Sequence, residues 1–249
     1  MLLKRVFQFL VIYLLFIGAL MTLKYSLNLS NYVIPAPAGI LQTLQTEFSL
    51  YALATVNTMI VAVIGQVISV VMAFTIGIIG RQSTWLGSFI KVAAYNIQAY
   101  PIVALAPILF ILLGDGFLTR LLIAAMICYF PVLLSVLGIM AKPIDDIEHF
   151  YRATGRMRWQ LEVKIRTFEN LSQLTTVIAG SATLAMAGTI VGEFIAANAG
   201  IGYRIRIALY QSDLGKILIA LFLIGMTIAI YQALLESLGA TVKRAWTGK

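Results

Sequence analysis

The hydrophobic and polar positions along the chain divide it into six long uncharged segments joined by short polar connections. The uncharged segments are 6–23, 48–80, 92–114, 121–141, 170–192 and 217–235. A helix that rises ~1.5 Å per residue needs about 20 apolar residues to cross a hydrocarbon core ~30 Å thick. The segments reach or approach that length, and they lack the alternation of lipid-facing β-barrel strands. The pattern therefore predicts an all-α membrane protein with six transmembrane helices.

The predicted spans form one transmembrane domain that covers residues 1–249. Their predicted bounds are about 6–23, 54–80, 88–113, 119–140, 170–197 and 215–238, with a polar loop, 142–169, between the fourth and the fifth. The first span follows two basic residues, as a signal peptide does. Its 18 apolar residues exceed the usual apolar region of a signal peptide, and no clear small-residue cleavage site follows. We therefore expect it to be retained as a membrane anchor.

The composition of the chain agrees with a place in the lipid bilayer and argues against several other functions. Hydrophobic residues make up 61% of the chain, charged residues 11%, and the mean hydropathy is +0.94. The net charge of +8 does not imply nucleic acid, because basic residues of membrane proteins more often record topology. One cysteine, Cys128, and one histidine, His149, offer too few ligands for a protein-bound metal or haem. We expect no cofactor.

The basic residues are distributed unequally between the two sides of the predicted membrane. With the N-terminus in the cytoplasm, 12 Lys and Arg residues lie on the cytoplasmic side and 5 on the other, while Lys91 is unassigned near a helix end. Short loops rich in Lys and Arg stay in the cytoplasm. Both termini and the loop 142–169 are therefore predicted to be cytoplasmic. That loop carries six of the 18 basic residues: Lys142, Arg152, Arg156, Arg158, Lys164 and Arg166.

The loop 142–169 also has the pattern of an amphipathic helix. Its apolar residues recur every three or four positions from Ile144 to Phe168, which is the helical period. Gly155 interrupts the run, so we expect a short helix over 144–153 and a second amphipathic segment after the glycine. Two interpretations remain open. The basic helix can lie on anionic lipid, which is favoured on physical grounds alone, or it can dock on a soluble cytoplasmic partner.

Five segments resemble, in the same order, segments of the permease subunits of binding-protein-dependent ABC importers. The loop sequence IDDIEHFYRATGRMRWQLEVKI (144–165) resembles the cytoplasmic Glu-Ala-Ala…Gly signature of that family. The other four segments are IPAPAGIL (34–41), YPIVALAPILFILLGDG (100–116), FPVLLSVLGI (130–139) and GEFIAANAGIGYRI (192–205). The resemblance covers roughly residues 33–246. It is closest to the nitrate/sulfonate/taurine branch, which also includes pyrimidine and riboflavin importers.

The resemblance implies a type I ABC importer permease fold in the cell inner membrane, with a cytoplasmic coupling helix between helices 4 and 5. It implies a homodimer, two cytoplasmic ATPase subunits and an extracytoplasmic binding protein that delivers a small solute. The chain is then no enzyme, and its sequence contains no Gly-x4-Gly-Lys-Ser/Thr phosphate-binding loop. The residues expected to couple to the ATPase are Glu148, His149, Tyr151, Arg152, Ala153, Thr154, Gly155 and Arg158. The alternative is a stand-alone channel or secondary transporter whose basic loop only binds lipid.

The coupling segment departs from the family pattern at three positions. Glu148 lies seven residues before Gly155, where the family usually places its acid six before, and Phe150 or Tyr151 stands in place of the first alanine. Phe168 stands where a proline is expected. Without that proline, the helix of the loop is free to continue into the fifth span.

A few polar residues and prolines in the apolar spans are candidates for the translocation pathway or a gate. Asn57, Gln66, Asn96 and Gln98 are uncharged polar residues in or near spans two and three. Interhelical hydrogen bonding is the favoured interpretation for them, and solute contact is the alternative. Pro101 and Pro107 are expected to bend the third span and free backbone carbonyls.

Glu193 is the carboxylate that ends the uncharged segment 170–192. Acidic residues inside a membrane are costly and usually face a cavity or a partner. A pathway or gate residue and a structural residue near the outer interface are both open interpretations, and Gly200 and Gly202 indicate a tight turn just beyond. Because the resemblance places an acid here in importers of different solutes, the structural role is favoured.

Overall fold

The computed structural model describes residues 2–141 and 159–247, with side chains described over 2–141 and 163–245. These residues form nine helices: α1 Leu2–Ser26, α2 Pro37–Gly80, α3 Thr84–Gln98, α4 Ile102–Leu113, α5 Phe117–Ala141, α6 Trp159–Glu169, α7 Leu171–Ile195, α8 Ile201–Tyr210 and α9 Leu214–Thr247.

Five of the helices are long and apolar enough to cross a membrane: α1, α2, α5, α7 and α9. Helices α3 and α4 meet that test only as a pair, and their axes are bent by 81° at the break between them. The break follows the expectation that prolines bend the third span, since Pro101 immediately precedes α4. Pro107, in contrast, lies inside α4 without ending it. The count is therefore five membrane helices, or six if the bent pair forms one span.

Helix α5 packs between α2 and α7 and forms the centre of the bundle. Small residues allow this close packing. A Cβ atom built on Gly65 of α2 would lie 3.0 Å from the Cβ of Ala124, and one built on Gly188 of α7 would lie 3.1 Å from the Cβ of Ile127. Membrane helices approach most closely where such residues face each other, because apolar burial gives them no advantage over lipid.

Helix α1 packs on α9 at the edge of the bundle. The Arg5 guanidinium forms an ion pair with the Glu236 carboxylate and donates to the Gln232 side chain over 2.9 Å. Further along the pair, the Tyr13 hydroxyl donates to the carbonyl of Leu218 over 3.0 Å. Polar side-chain contacts therefore link α1 to α9 at two positions along the pair.

Helices α3 and α4 pack against different halves of α5. A Cβ atom built on Gly80, at the end of α2, would lie 3.1 Å from Leu137 Cδ2 of α5 and 3.3 Å from Ile90 Cδ1 of α3. Near the opposite end of α5, Phe110 of α4 belongs to the same apolar cluster as Ile123. The break between α3 and α4 therefore lies beside the middle of α5.

Helices α6 and α7 are separated by one residue, Asn170. Its backbone has φ −99° and ψ 15°, its N–H donates to the carbonyl of Arg166 over 3.1 Å, and its carbonyl accepts from Leu174 over 2.9 Å. The hydrogen-bonded chain thus passes from one helix to the other with only this joint between them, as the missing proline allows.

Candidate functional site

Glu193 lies near the end of α7 and is completely buried. The Thr58 hydroxyl of α2 donates to Glu193 Oε2 over 2.7 Å, and the Gly202 N–H of α8 donates to the same oxygen over 3.1 Å. Arg120 Nη1 of α5 lies 3.5 Å from Oε1. The carboxylate therefore joins four helices, and we call Thr58, Arg120, Glu193, Gly200 and Gly202 the Glu193 cluster.

The two glycines of the cluster make room for this carboxylate. Gly200 has φ 92°, a conformation that favours glycine, and a Cβ atom at this position would overlap the Glu193 carboxylate. Gly202 is already in α8, where a Cβ atom would lie 2.8 Å from Glu193 Cβ and overlap the carbonyl of Ile190. Gly200 makes the turn that the sequence indicated, whereas Gly202 allows a helix-to-helix approach.

The backbone around the cluster is also closed by hydrogen bonds. The Ile201 N–H donates to the Thr58 hydroxyl oxygen over 2.8 Å. Arg206 donates to the carbonyls of Phe194, Ile195 and Ala197 over 2.7–3.2 Å. These carbonyls lie at the C-terminus of α7, where no backbone N–H of the helix is left to donate to them. The helix dipole also favours a cation at this end.

The geometry of the Glu193 cluster favours a structural role. Both carboxylate oxygens are held by groups of the chain itself, and no part of the side chain is exposed. We expect such a buried ion pair, with its hydrogen bonds, to favour one arrangement of the helices that supply the donors. Thr58 and Arg120 were not singled out from the sequence. Arg120 precedes an uncharged segment, which is the signal that could have identified it as the partner of Glu193.

Gln66 belongs to a second, separate hydrogen-bond network deeper in the bundle. Its Nε2 donates to the carbonyl of Ile178 over 2.7 Å and to the Ser181 hydroxyl over 2.9 Å. Its Oε1 accepts from the Tyr231 hydroxyl over 2.8 Å. The side chain is buried and links α2, α7 and α9, as interhelical hydrogen bonding requires.

The remaining pathway candidates are exposed. Asn57 lies on the outer face of α2, whereas Asn96, Gln98 and Pro101 lie on either side of the break between α3 and α4. The structure therefore distributes the predicted pathway residues over three places: the Glu193 cluster, the Gln66 network and the exposed positions. Only the exposed positions are open to a solute in this single chain.

The predicted ATPase-coupling residues, Glu148, His149, Tyr151, Arg152, Ala153, Thr154, Gly155 and Arg158, lie outside the described residues. Within residues 2–141 and 159–247, no three His, Cys, Asp or Glu side chains converge to hold a metal ion.

Comparisons with known proteins identify relatives over most of the chain. A riboflavin transport system permease protein of Chloroflexus aurantiacus is 35% identical over 161 residues, which are 62% of this chain and 59% of the relative. A formylaminopyrimidine transport permease protein of Halalkalibacterium halodurans is 22% identical over 78% of both chains. A probable ABC transporter permease protein of Haemophilus influenzae is 23% identical over 81% of this chain and 82% of its own.

These relatives are transport subunits and not enzymes in their own right. The sequence profile of the family described as "Binding-protein-dependent transport system inner membrane component" matches residues 69–244, from the last third of α2 to the last turns of α9. The match covers well over half of the chain and includes every residue of the Glu193 cluster except Thr58. The protein belongs to this family of ABC transporter permease subunits.

Proposed function

We propose that the chain forms the solute pathway of an ATP-driven importer together with a second copy of itself. Two cytoplasmic ATPase subunits and an extracytoplasmic binding protein complete the assembly. The family match over residues 69–244 carries this proposal, because members of the family are defined by their dependence on a binding protein. The same match disfavours a stand-alone channel or secondary transporter.

The test is uptake by the purified assembly in proteoliposomes. Solute uptake is expected to require ATP on the side of the vesicle membrane where the ATPase is bound. It is also expected to require the binding protein on the opposite side of that membrane. An ATPase subunit is expected to co-purify with the permease. Uptake that an ion gradient drives without ATP or ATPase would support the secondary transporter instead.

The proposed orientation places both termini in the cytoplasm of a multi-pass inner-membrane protein. It rests on the 12:5 distribution of Lys and Arg. The Glu193 cluster then lies near the extracytoplasmic surface. In a Cys128→Ser background, Arg156→Cys and Gln211→Cys should react with an impermeant thiol reagent from opposite sides. Labelling of both from outside intact cells would contradict the orientation.

The loop 142–169 is proposed to carry the coupling helix that sits in a groove of each ATPase. Its basic amphipathic sequence and its position between the fourth and fifth predicted spans, α5 and α7, support this role, and we expect the partner to approach most closely at Gly155. Gly155→Leu is expected to reduce ATPase stimulation while membrane insertion stays normal. Unchanged stimulation and transport would favour a loop that only binds lipid.

The solute class we propose is a planar nitrogen heterocycle. Two relatives are named for riboflavin and formylaminopyrimidine, and both compounds belong to that class. Membership of the nitrate/sulfonate/taurine-like branch stays a prediction. The nitrate and sulfonate anions that some importers of that branch carry differ in charge from riboflavin, so uptake of riboflavin compared with methanesulfonate separates the two solute classes.

A further inference from the structure

The break between α3 and α4 exposes polar groups in the middle of an otherwise apolar span. Asn96, Gln98 and Tyr100 are exposed, and so is Tyr95, which directly precedes Asn96. Among the described hydrogen bonds, none involves the side-chain amides of Asn96 and Gln98. We call residues 95–101 the α3–α4 break.

The backbone of the α3–α4 break is also incompletely hydrogen-bonded. The Ala99 N–H donates to Tyr95 over 3.1 Å and the Tyr100 N–H donates to Ile97 over 3.2 Å. Among the described residues outside helices, the carbonyl of Ala99 accepts no backbone N–H. Irregular backbone at membrane depth is tolerated only where protein covers it or where it lines a water-filled cavity.

The position of the break along the span determines whether its polar groups need protein or water around them. The break lies beside the middle of α5, with Ile90 and Leu137 on one side of it and Phe110 and Ile123 on the other. Both sides are apolar, so the amides cannot reach an aqueous surface along their own helix. At such a depth the groups have to be covered by protein or to line a water-filled cavity, and the solute pathway of the proposed function would supply that cavity between copies.

The chemistry of the break matches a neutral, planar, polar solute. Each amide offers both a donor and an acceptor, the carbonyls offer acceptors, and Tyr95 and Tyr100 offer aromatic faces. No charged residue occurs in the segment 92–114. The nearest cation on α3 is Lys91, two turns before Gln98, so an anion such as a sulfonate would lose its hydration at the break without a cationic partner in direct contact.

We propose that the α3–α4 break is a solute contact site in the pathway, where Asn96 and Gln98 hydrogen-bond a neutral heterocycle and Tyr95 or Tyr100 stacks on its ring. The proposal rests on the proposed function, because it needs a pathway between copies. It adds a selectivity element within the membrane to the selection made by the binding protein.

Thiol labelling tests whether the break faces water. In a Cys128→Ser background, Gln98→Cys is expected to react with a hydrophilic methanethiosulfonate and to be protected by riboflavin. Ile111→Cys is the matched control, because Ile111 lies on the neighbouring helix α4 and is 82% exposed. It should stay unreactive in lipid. Equal reactivity at both positions, or a spontaneous disulfide between copies at position 98, would overturn the proposal.

Uptake by the complete transporter tests selectivity. Replacing both amides, Asn96→Leu with Gln98→Leu, should raise the riboflavin concentration for half-maximal uptake about tenfold, as expected for the loss of one or two hydrogen bonds. Tyr100→Leu should weaken riboflavin uptake more than Tyr100→Phe, which keeps the ring. Ile111→Ala is expected to behave like the wild type.

The outcomes separate this proposal from the proposed function. A wild-type transporter that imports methanesulfonate but not riboflavin would overturn the contact site while leaving the importer intact. Normal riboflavin uptake by the double variant would do the same. If the wild type shows no ATP-dependent uptake of any solute, the importer and the contact site fall together.

Discussion

The Glu193 cluster and the α3–α4 break are two polar regions of one apolar bundle with opposite properties. In the cluster, a buried carboxylate accepts from Thr58 and Gly202 and pairs with Arg120. In the break, Asn96 and Gln98 are exposed and no described residue bonds their side chains. Polar groups in a membrane bundle thus divide into those that fasten helices together and those left for a partner outside the chain.

The largest expected effect comes from filling the space beside Glu193. Gly200→Val should displace the carboxylate and strain the backbone at φ 92°, which we expect to cost about 4 kcal/mol or more of stability. Thermal unfolding in detergent measures it. Gly180→Ala is the control on the same bundle, since nothing lies within 4 Å of its added Cβ. A Gly200→Val protein with wild-type Tm would show that the Glu193 cluster does not contribute to stability.

Removing the carboxylate is expected to have the next largest effect. Glu193→Ala leaves the Gly202 N–H and the Arg120 Nη1 without this acceptor, at ~1–3 kcal/mol for each buried group left unpaired, whereas the Thr58 hydroxyl can still donate to the carbonyl of Ala54. Glu193→Gln keeps the shape and part of the hydrogen bonding, so its Tm and its uptake should lie between those of Ala and the wild type, with solute preference unaltered. A Gln variant as inactive as Ala, with a loss that depends on solute charge, would place Glu193 in the pathway.

The Gln66 network should respond more weakly. Hydrogen bonds between membrane helices average about 0.6 kcal/mol, so Tyr231→Phe should lower stability by about that amount. A double-mutant cycle with Gln66→Leu measures the coupling across the 2.8 Å hydrogen bond. Additive losses would mean that the two side chains do not stabilise each other.

The smallest effect on stability is expected at the break. Gln98→Leu removes no hydrogen bond among the described residues, so its stability should stay within about 0.5 kcal/mol of the wild type even as solute contact weakens. A Tm loss as large as that of Glu193→Ala would show that Gln98 fastens helices too, and the contrast between the two regions would disappear.

The sequence predicted local features better than pairings. Uncharged segments located the membrane helices, since a segment of 20 apolar residues has few other stable environments. Pro101 indicated a bend, and Gly200 indicated a turn. The partners of Glu193 could not be read from the sequence, because Arg120 is 73 positions away and Thr58 is 135. Such contacts depend on how whole helices pack. The burial of Gln66 and the exposure of Gln98 could not be predicted either, because the two residues have the same polar side chain.

A single residue, Asn170, joins α6 to α7, so a tilt about this residue would move the far end of α7 more than its near end. Helix α6 ends at Glu169, and α7 begins at Leu171 and carries Glu193 near its far end. A helix of 25 residues is about 37 Å long. A tilt of about 5° about the joint would displace the far end of a rod of that length by roughly 3 Å. If α7 moved as a rigid rod about this joint, its Glu193 end would therefore shift by about the length of a hydrogen bond.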